Sequence, residues 1–209
     1  MILVQLNEKF GELASDERIK KTASALKENG FEVEVVENKE EVKRKVLEMI
    51  PEGSEVFTMS SQTLEQVSLS DAINNSGKYN SVRNKLFTMD RNTQAREMAR
   101  LGAAPDWVVS SVHAVTEDGH LIIASNTGSQ LSAEAYAGGK VIFVVGVQKI
   151  VKDNQEGIKR IYEYCLPLED ERARKAYGMG SNVSKILIIN KEIFPERITV
   201  FLVKEKLGF

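Results

Sequence analysis

The sequence predicts an α/β fold: a three-layer α/β/α sandwich around a mainly parallel sheet, with one β-hairpin. Amphipathic helical segments alternate along the chain with short apolar segments, as expected for a sheet covered by helices. Residues 141–147 and 186–189 are almost continuously apolar and rich in β-branched side chains. Such runs are typical of strands that are covered on both faces in a parallel sheet. Asp118-Gly119, between two apolar runs, predicts the hairpin.

The first half of the chain predicts two helices and two strands. Ile19, Ala23 and Leu26 fall on one helical face, and Asn29-Gly30 predicts the end of that helix. Asn38 and Glu41 have the spacing of a capping box at the start of the second helix. In chain order the predicted elements are a helix at 15–29, a strand at 31–36, a helix at 38–50 and a strand at 55–58.

The second half predicts further helices and strands. Gly102 predicts the end of a helix, and Asp153 with Glu156 predicts the start of another, which carries Cys165 on its apolar face. The predicted elements are a helix at 90–101, a strand from 107, hairpin strands at 112–116 and 121–124, a strand at 141–147, a helix from 153, and strands at 186–189 and 198–203.

Length and composition limit the class of protein. The 209 residues, 42% of them hydrophobic, suit a single domain at 1–209, and the net charge of −2 gives no basic surface for nucleic acid or anionic membranes. The only cysteine, Cys165, excludes an internal disulfide, and we expect it to be a small buried side chain rather than a reactive thiol. Residues 1–9 lack the layout of a signal peptide, and no apolar run is long enough to span a membrane. We therefore expect a cytoplasmic protein.

Three polar segments lie beside predicted strands, where ligands of α/β sheets bind. In the first, after the strand that ends near Thr58, hydroxyls could hold an anion, or Ser61 or Thr63 could simply cap the next helix. The second and third segments could each supply hydrogen-bond donors to a ligand around their glycines. Alternatively, the second is an ordinary loop and the third an ordinary turn. The candidate residues are Ser60, Ser61, Thr63 and Glu65 in the first segment, Asn126, Thr127, Gly128 and Ser129 in the second, and Gly178, Gly180 and Ser181 in the third.

Two isolated residues are further candidates. His113 is either a ligand-binding side chain or an ordinary strand residue, and its spacing from His120 and the single cysteine gives no support for a zinc site. We therefore predict no metal. Lys149 follows the apolar strand at 141–147, where it could pair with a carboxylate or phosphate, or could face solvent.

Four segments together resemble the LUD domain, the lactate-utilisation family that includes LutC. They are residues 63–67, 111–119, 126–130 and 144–151. The resemblance implies the fold of the ribose-5-phosphate isomerase, glucosamine-6-phosphate deaminase and CoA-transferase superfamily, whose members bind sugar phosphates, CoA thioesters or folates at the strand ends. It also implies a link to the oxidation of lactate to pyruvate, alongside iron–sulfur partner proteins.

The sequence departs from the family pattern at two positions. Many LUD sequences have an acid at position 125 and Gly-Asn-Arg after it, whereas this chain has Ser125 and Ser129-Gln130. The missing arginine removes a bidentate clamp for a carboxylate or phosphate. The chain also lacks a cysteine cluster, so we expect it to bind no cofactor and any iron–sulfur centre to lie in a partner.

Two functions remain open from the sequence. The first is binding of a small anionic, phosphorylated or CoA-linked metabolite by the hydroxyls of the first two segments, with charge from Lys149 and proton transfer by Glu65, Glu117 or Lys149. The second is a non-catalytic accessory subunit of an oxidising complex. A homodimer is plausible for a domain of this size, but no residue pattern specifies an interface.

Overall fold

The computed structural model describes residues 6–209. Residues 1–5, which belong to the predicted domain and to the segment without a signal-peptide layout, lie outside the described residues. Its α-helices are α1 (Asp16–Glu28), α2 (Lys39–Met49), α3 (Gln62–Gln66), α4 (Leu69–Asn74), α5 (Val82–Phe87), α6 (Arg91–Ala103), α7 (Asn154–Arg160) and α8 (Leu166–Tyr177). Its strands are β1 (Glu32–Val36), β2 (Glu55–Thr58), β3 (Asn80–Ser81), β4 (Trp107–Ser110), β5 (Ala114–Thr116), β6 (Leu121–Ser125), β7 (Lys140–Gly146), β8 (Ile150–Val151), β9 (Lys185–Ile189) and β10 (Ile198–Val203).

Six strands form the larger sheet, in the order β1-β10-β7-β4-β2-β3. All five neighbouring pairs are parallel, so the carboxyl ends of the six strands lie at one edge. The predicted α/β class, with a parallel central sheet flanked by helices, is therefore confirmed.

Strand β7 shows why this sheet is buried on both faces. Phe143 packs in the same apolar cluster as Leu26 of α1, whereas the next residue, Val144, packs in a second cluster with Val46 of α2. Successive side chains of a strand point to opposite faces, so a continuous apolar run is needed to fill both clusters.

Helix ends follow the local sequence closely. The side chains of Asn38 and Asp153 accept hydrogen bonds of 2.9 Å from the backbone amides of Glu41 and Glu156, as the sequence predicts. Gly102 does not end its helix, because α6 continues to Ala103 and places Gly102 against the Phe57 ring. None of the helices in residues 6–209 is both long and apolar enough to cross a membrane.

The predicted hairpin is present, but it belongs to a second sheet. Strands β5 and β6 pair antiparallel within the order β8-β5-β6-β9, and this smaller sheet packs through Val115 and Ile123 onto the α1 face of the larger one. The prediction that residues 186–189 form a strand buried on both faces is wrong. Strand β9 pairs antiparallel with β6, and its first residues, Lys185 and Ile186, are exposed, because β9 is the last strand of the smaller sheet.

Candidate functional site

A polar cavity of about 550 Å³ lies at the carboxyl edge of the larger sheet, beside the ends of β2, β4 and β6. Residues from all three polar segments line it, together with both isolated candidates. These residues are Ser60, Ser61, Thr63, Glu65, His113, Asn126, Thr127, Ser129, Lys149 and Ser181. The structure thus brings together segments that are far apart in sequence.

Lys149 forms part of the cavity floor. It is the last residue of a 3₁₀ turn, Val147–Lys149, that follows β7, and it is 2% exposed rather than facing solvent. Its Nζ donates hydrogen bonds of 2.9 Å to Thr63 Oγ1, 3.0 Å to Ser111 Oγ and 3.0 Å to the Val112 carbonyl. Burial, with a smaller effect of Arg160, lowers the pKa of Lys149 to about 7. The ammonium is therefore held by uncharged oxygens.

Arg160 is a second buried cation beside the floor, and sequence analysis did not identify it. Its guanidinium is fully buried and donates to the carbonyls of His113 and Phe10 and, at 2.9 Å, to Cys165 Sγ, while its Nε has no partner among the described residues. It also lies 5.1 Å from the centroid of the Tyr164 ring. As at Lys149, none of the groups bonded to the charge is a carboxylate, so the buried positive charge is not neutralised by the protein atoms that contact it.

Glu134 and Ser110 form a second feature that sequence analysis missed. Glu134 lies in a single π-helical turn, Ala133–Ala137, and is fully buried. Its Oε1 is 2.6 Å from Ser110 Oγ, and its Oε2 has no hydrogen-bond partner in the part of the chain that the structure describes. Burial raises the pKa of Glu134 to about 8, so its carboxyl is mainly protonated at neutral pH. Ser110 could have been found, because it ends the apolar strand β4 in the same way that Thr58 ends β2.

His113 lines the cavity as a neutral imidazole. Its Nδ1 accepts a hydrogen bond of 3.1 Å from the Ala124 amide, so the ring proton is on Nε2. Burial and the positive charges of Lys149 and Arg160 lower the pKa of His113 to about 3. The ring can donate one hydrogen bond from Nε2.

Arg83 adds a partly exposed cation to the cavity wall. Its side chain donates to the Thr58 carbonyl at 2.9 Å and to Ser60 Oγ at 3.0 Å, and burial lowers its pKa. No local motif distinguishes Arg83 from the other arginines, because its contacts are made across the β2–α3 connection.

The polar segments also have structural roles. Ser61 Oγ accepts a hydrogen bond of 3.4 Å from the Leu64 amide and so caps α3, while it also lines the cavity. Ser125 Oγ accepts from the Gly128 amide at 2.9 Å, which shapes the second segment. The two alternatives for these segments, a structural turn and a ligand-binding wall, are therefore compatible.

Four candidates lie outside the cavity lining. Gly128 has a φ of +83° and packs against Lys185, Gly178 ends α8 with a φ of +70°, and Gly180 lies beside Asp170. The carboxylate of Glu117 pairs with Arg18 Nε at 2.7 Å and Lys21 Nζ at 2.8 Å, and these hydrogen bonds lower its pKa. Glu117 thus connects the smaller sheet to α1 and is remote from the cavity lining.

The single cysteine of the sequence does not fit an iron–sulfur cluster. In the part of the chain that the structure describes, no three His, Cys, Asp or Glu side chains are grouped so as to hold a metal ion. Cys165 is the only cysteine of the sequence, whereas clusters of this type take several thiolates.

The structure of one family of solved proteins supports the fold. A DUF162 family protein from Deinococcus radiodurans superposes with a TM-score of 0.55 at 12% identity, over 92% of this chain and 99% of that one. The beta and delta subunits of eIF2B from Chaetomium thermophilum have TM-scores of 0.38 and 0.36 at 19% and 16% identity. They match 60% and 68% of this chain, and 43% and 54% of their own chains.

Sequence comparison gives the family. No curated protein shows significant similarity to this sequence. The family model of the LUD domain, in contrast, matches residues 19–203, which include both sheets and every residue named in the cavity floor. The chain therefore belongs to the LUD domain family.

Proposed function

We propose that this LUD domain binds a small organic anion in the cavity at the carboxyl edge of its parallel sheet. The observation that carries the proposal is the presence of two buried cations, Lys149 and Arg160, beside a polar cavity and, within residues 6–209, without a carboxylate among their bonded partners. Burying a charge without a counter-charge is costly, and an anionic ligand would offset part of that cost.

The anion would be held mainly by hydroxyl groups. All three protons of the Lys149 ammonium are already donated to protein oxygens, so its charge would act on the ligand through the Ser111 hydroxyl. Arg83 Nη2 donates to Ser60 Oγ at the cavity wall and would add a second positive charge. Asn126, Thr127 and Ser129 would supply donors from the opposite segment.

The family association with lactate utilisation favours a 2-hydroxy or 2-oxo acid as the ligand. A cavity of about 550 Å³ accommodates molecules of this size, and it would also accept a sugar phosphate or the acyl end of a CoA ester. Oxidation of the ligand would require a redox centre in a partner, such as an iron–sulfur protein, because this chain does not supply the ligands for one.

A thermal-shift experiment tests the proposal. Lactate, pyruvate, a sugar phosphate and a CoA ester are each added at about 1 mM, and the ligand that binds the folded state raises the melting temperature. We expect Lys149→Met to abolish the rise. Lys140→Met is the matched control, because Lys140 begins β7 at the opposite edge of the sheet from Lys149, and the rise should persist.

One observation favours a second function, an accessory subunit without a ligand. Ser125 stands where many family members have an acid, and its hydroxyl is already bonded to the Gly128 amide. The position of the missing arginine is taken by Gln130. Absence of a melting shift with all four probes would contradict anion binding and support the accessory function.

A further inference from the structure

Two adjacent serines at the end of β4 contact two buried titratable groups. Ser110 Oγ is 2.6 Å from Glu134 Oε1, and Ser111 Oγ is 3.0 Å from Lys149 Nζ. Both serines line the cavity together with Lys149, whereas Glu134 lies outside the lining; Glu134 and Lys149 are both almost inaccessible to solvent. A buried carboxyl and a buried amine therefore reach the same cavity through neighbouring hydroxyls.

We propose that Glu134–Ser110 and Lys149–Ser111 are an acid and a base that transfer protons to and from a 2-oxo acid bound in the cavity. The proposal rests on the proposed function, since it requires an organic anion beside these serines. Ser110 and Ser111 are the groups that would contact the substrate, and Glu134 and Lys149 would act through them.

The environment of Glu134 favours the protonated carboxyl. The side chain is fully buried, and within residues 6–209 its carboxyl bonds only to Ser110, through Oε1, while Oε2 has no partner. A carboxylate in this position would leave a negative charge with one donor, whereas the neutral acid keeps a proton that can pass to Ser110. The π-helical turn that presents Glu134 is a type of distortion often found at functional sites.

The environment of Lys149 lowers its pKa to about 7, so the ammonium and the neutral amine are both populated near neutral pH. Its Nζ is buried and lies near the guanidinium of Arg160, and both conditions disfavour a second positive charge. A neutral amine would donate to Thr63 Oγ1 and the Val112 carbonyl and accept the Ser111 hydroxyl proton. The pKa values of about 8 for Glu134 and about 7 for Lys149 allow an acid and a base to coexist near neutral pH.

The proposed step is a reversible enolisation. Ser111 Oγ removes a proton from the carbon next to the ligand carbonyl, and the Ser111 hydroxyl proton passes to Lys149 Nζ. The carbonyl oxygen takes the Ser110 proton, which the Glu134 proton replaces. The products are an enol, an ammonium and a carboxylate, so charge and protons balance and no oxidant is needed. When the ammonium exchanges its protons with deuterated solvent before the step reverses, the carbon receives a deuteron.

Deuterium exchange measures this step directly. Pyruvate is incubated with the protein in D₂O near neutral pD, and loss of the methyl proton signal is followed by NMR. We expect exchange that depends on the protein, with a loss of about 100-fold or more in Glu134→Gln and in Ser111→Ala, as for removal of a general acid or base. Glu52→Gln is the control, because Glu52 is an exposed residue that pairs with Lys78, and exchange should be unchanged.

The readouts separate this inference from the proposed function. Glu134→Gln should still show the melting shift with pyruvate, because the change removes a proton and preserves the shape of the side chain. If Glu134 had only a structural role, the substitution would reduce both the melting shift and the deuterium exchange. Should Glu134→Gln fail to fold, Ser110→Ala interrupts the same path. A pyruvate-dependent melting shift without exchange above the buffer rate would overturn the acid–base pair and leave anion binding intact. If no probe binds, both proposals are wrong.

Discussion

Arg197 and Arg160 are both buried, but of the two only Arg197 has a carboxylate partner among residues 6–209. The Arg197 guanidinium pairs with Glu192 at 2.6 Å, and both side chains are less than a tenth exposed. Its remaining donors reach the backbone carbonyls of Gly138, Glu134 and Ala135. In this region the positive charge and every donor group are compensated within the protein.

The region around Arg160 and Lys149 is different. Its two cations contact uncharged oxygens and one sulfur, and Arg160 Nε has no partner. This region borders the polar cavity, whereas Arg197 lies beside a shallow surface depression near Tyr136 and Phe194. The charge of Arg197 is thus compensated within the fold, whereas the charges of Arg160 and Lys149 are the basis of the proposed anion binding.

Loss of the carboxylate of Glu192 should give the largest effect. Glu192→Gln leaves the buried Arg197 without a counter-charge, and we expect a loss of about 3–5 kcal/mol in the free energy of unfolding, measured by denaturant titration. Glu196→Gln, at an exposed residue that pairs with Lys140, is the control and should cost less than about 1 kcal/mol. Equal losses in the two variants would contradict the structural role of the Arg197 pair.

Glu134 lies between the two regions, and its stability contribution should depend on pH. Its backbone carbonyl accepts from Arg197, but its carboxyl bonds only to Ser110. Because the pKa is raised from 4.5 to about 8, the folded state binds more protons than the unfolded state across this range, and stability falls as pH rises. Glu134→Gln should remove that loss, worth about 3–4 kcal/mol between pH 5 and 8.

Melting curves of wild type and Glu134→Gln at intervals from pH 5 to 8 provide the measurement. The difference between the two proteins isolates Glu134 from the other titrating groups. Parallel pH profiles would show that the carboxyl is ionised in the folded state, and the proton-donating role of Glu134 would then be wrong.

Sequence patterns were sufficient for the features that depend on local periodicity. The apolar run at 141–147 predicted a strand of a parallel sheet, and the position of Lys149 after this run predicted its place at the carboxyl edge. Such inferences succeed because parallel strands end together and any polar residue just after them lies at the same edge.

Buried charges could not be predicted in this way. On a helix, Arg160 has the pattern of a solvent-facing residue, but its buried guanidinium donates a hydrogen bond to the carbonyl of Phe10, 150 positions away in sequence. Glu134 and Ser110 are similarly joined only by the fold. The composition of the apolar run of β9 does not distinguish it from a central strand. Its position at the edge of the smaller sheet depends on which strands pair.

Replacement of Arg160 tests the unpaired region directly. Arg160→Met removes the charge and keeps most of the apolar volume, so we expect the affinity for the best-binding probe to fall about 10-fold, or about 1.4 kcal/mol. Isothermal titration gives the affinity, and Arg44→Met, at an exposed residue paired with Glu48, is the control. An unchanged affinity in Arg160→Met would show that its charge does not serve the ligand.

We expect the smallest effect from the replacement of Glu117. Its partners Arg18 and Lys21 have side chains that are 39% and 64% exposed, and exposed ion pairs contribute less than about 1 kcal/mol because water and salt screen them. Glu117→Gln should therefore change the melting temperature only slightly, and less at high salt than at low salt. The affinity for the anionic probe should remain that of the wild type, since the carboxylate is outside the cavity lining. A 10-fold change in affinity would mean that surface charge, rather than the buried cations, governs binding.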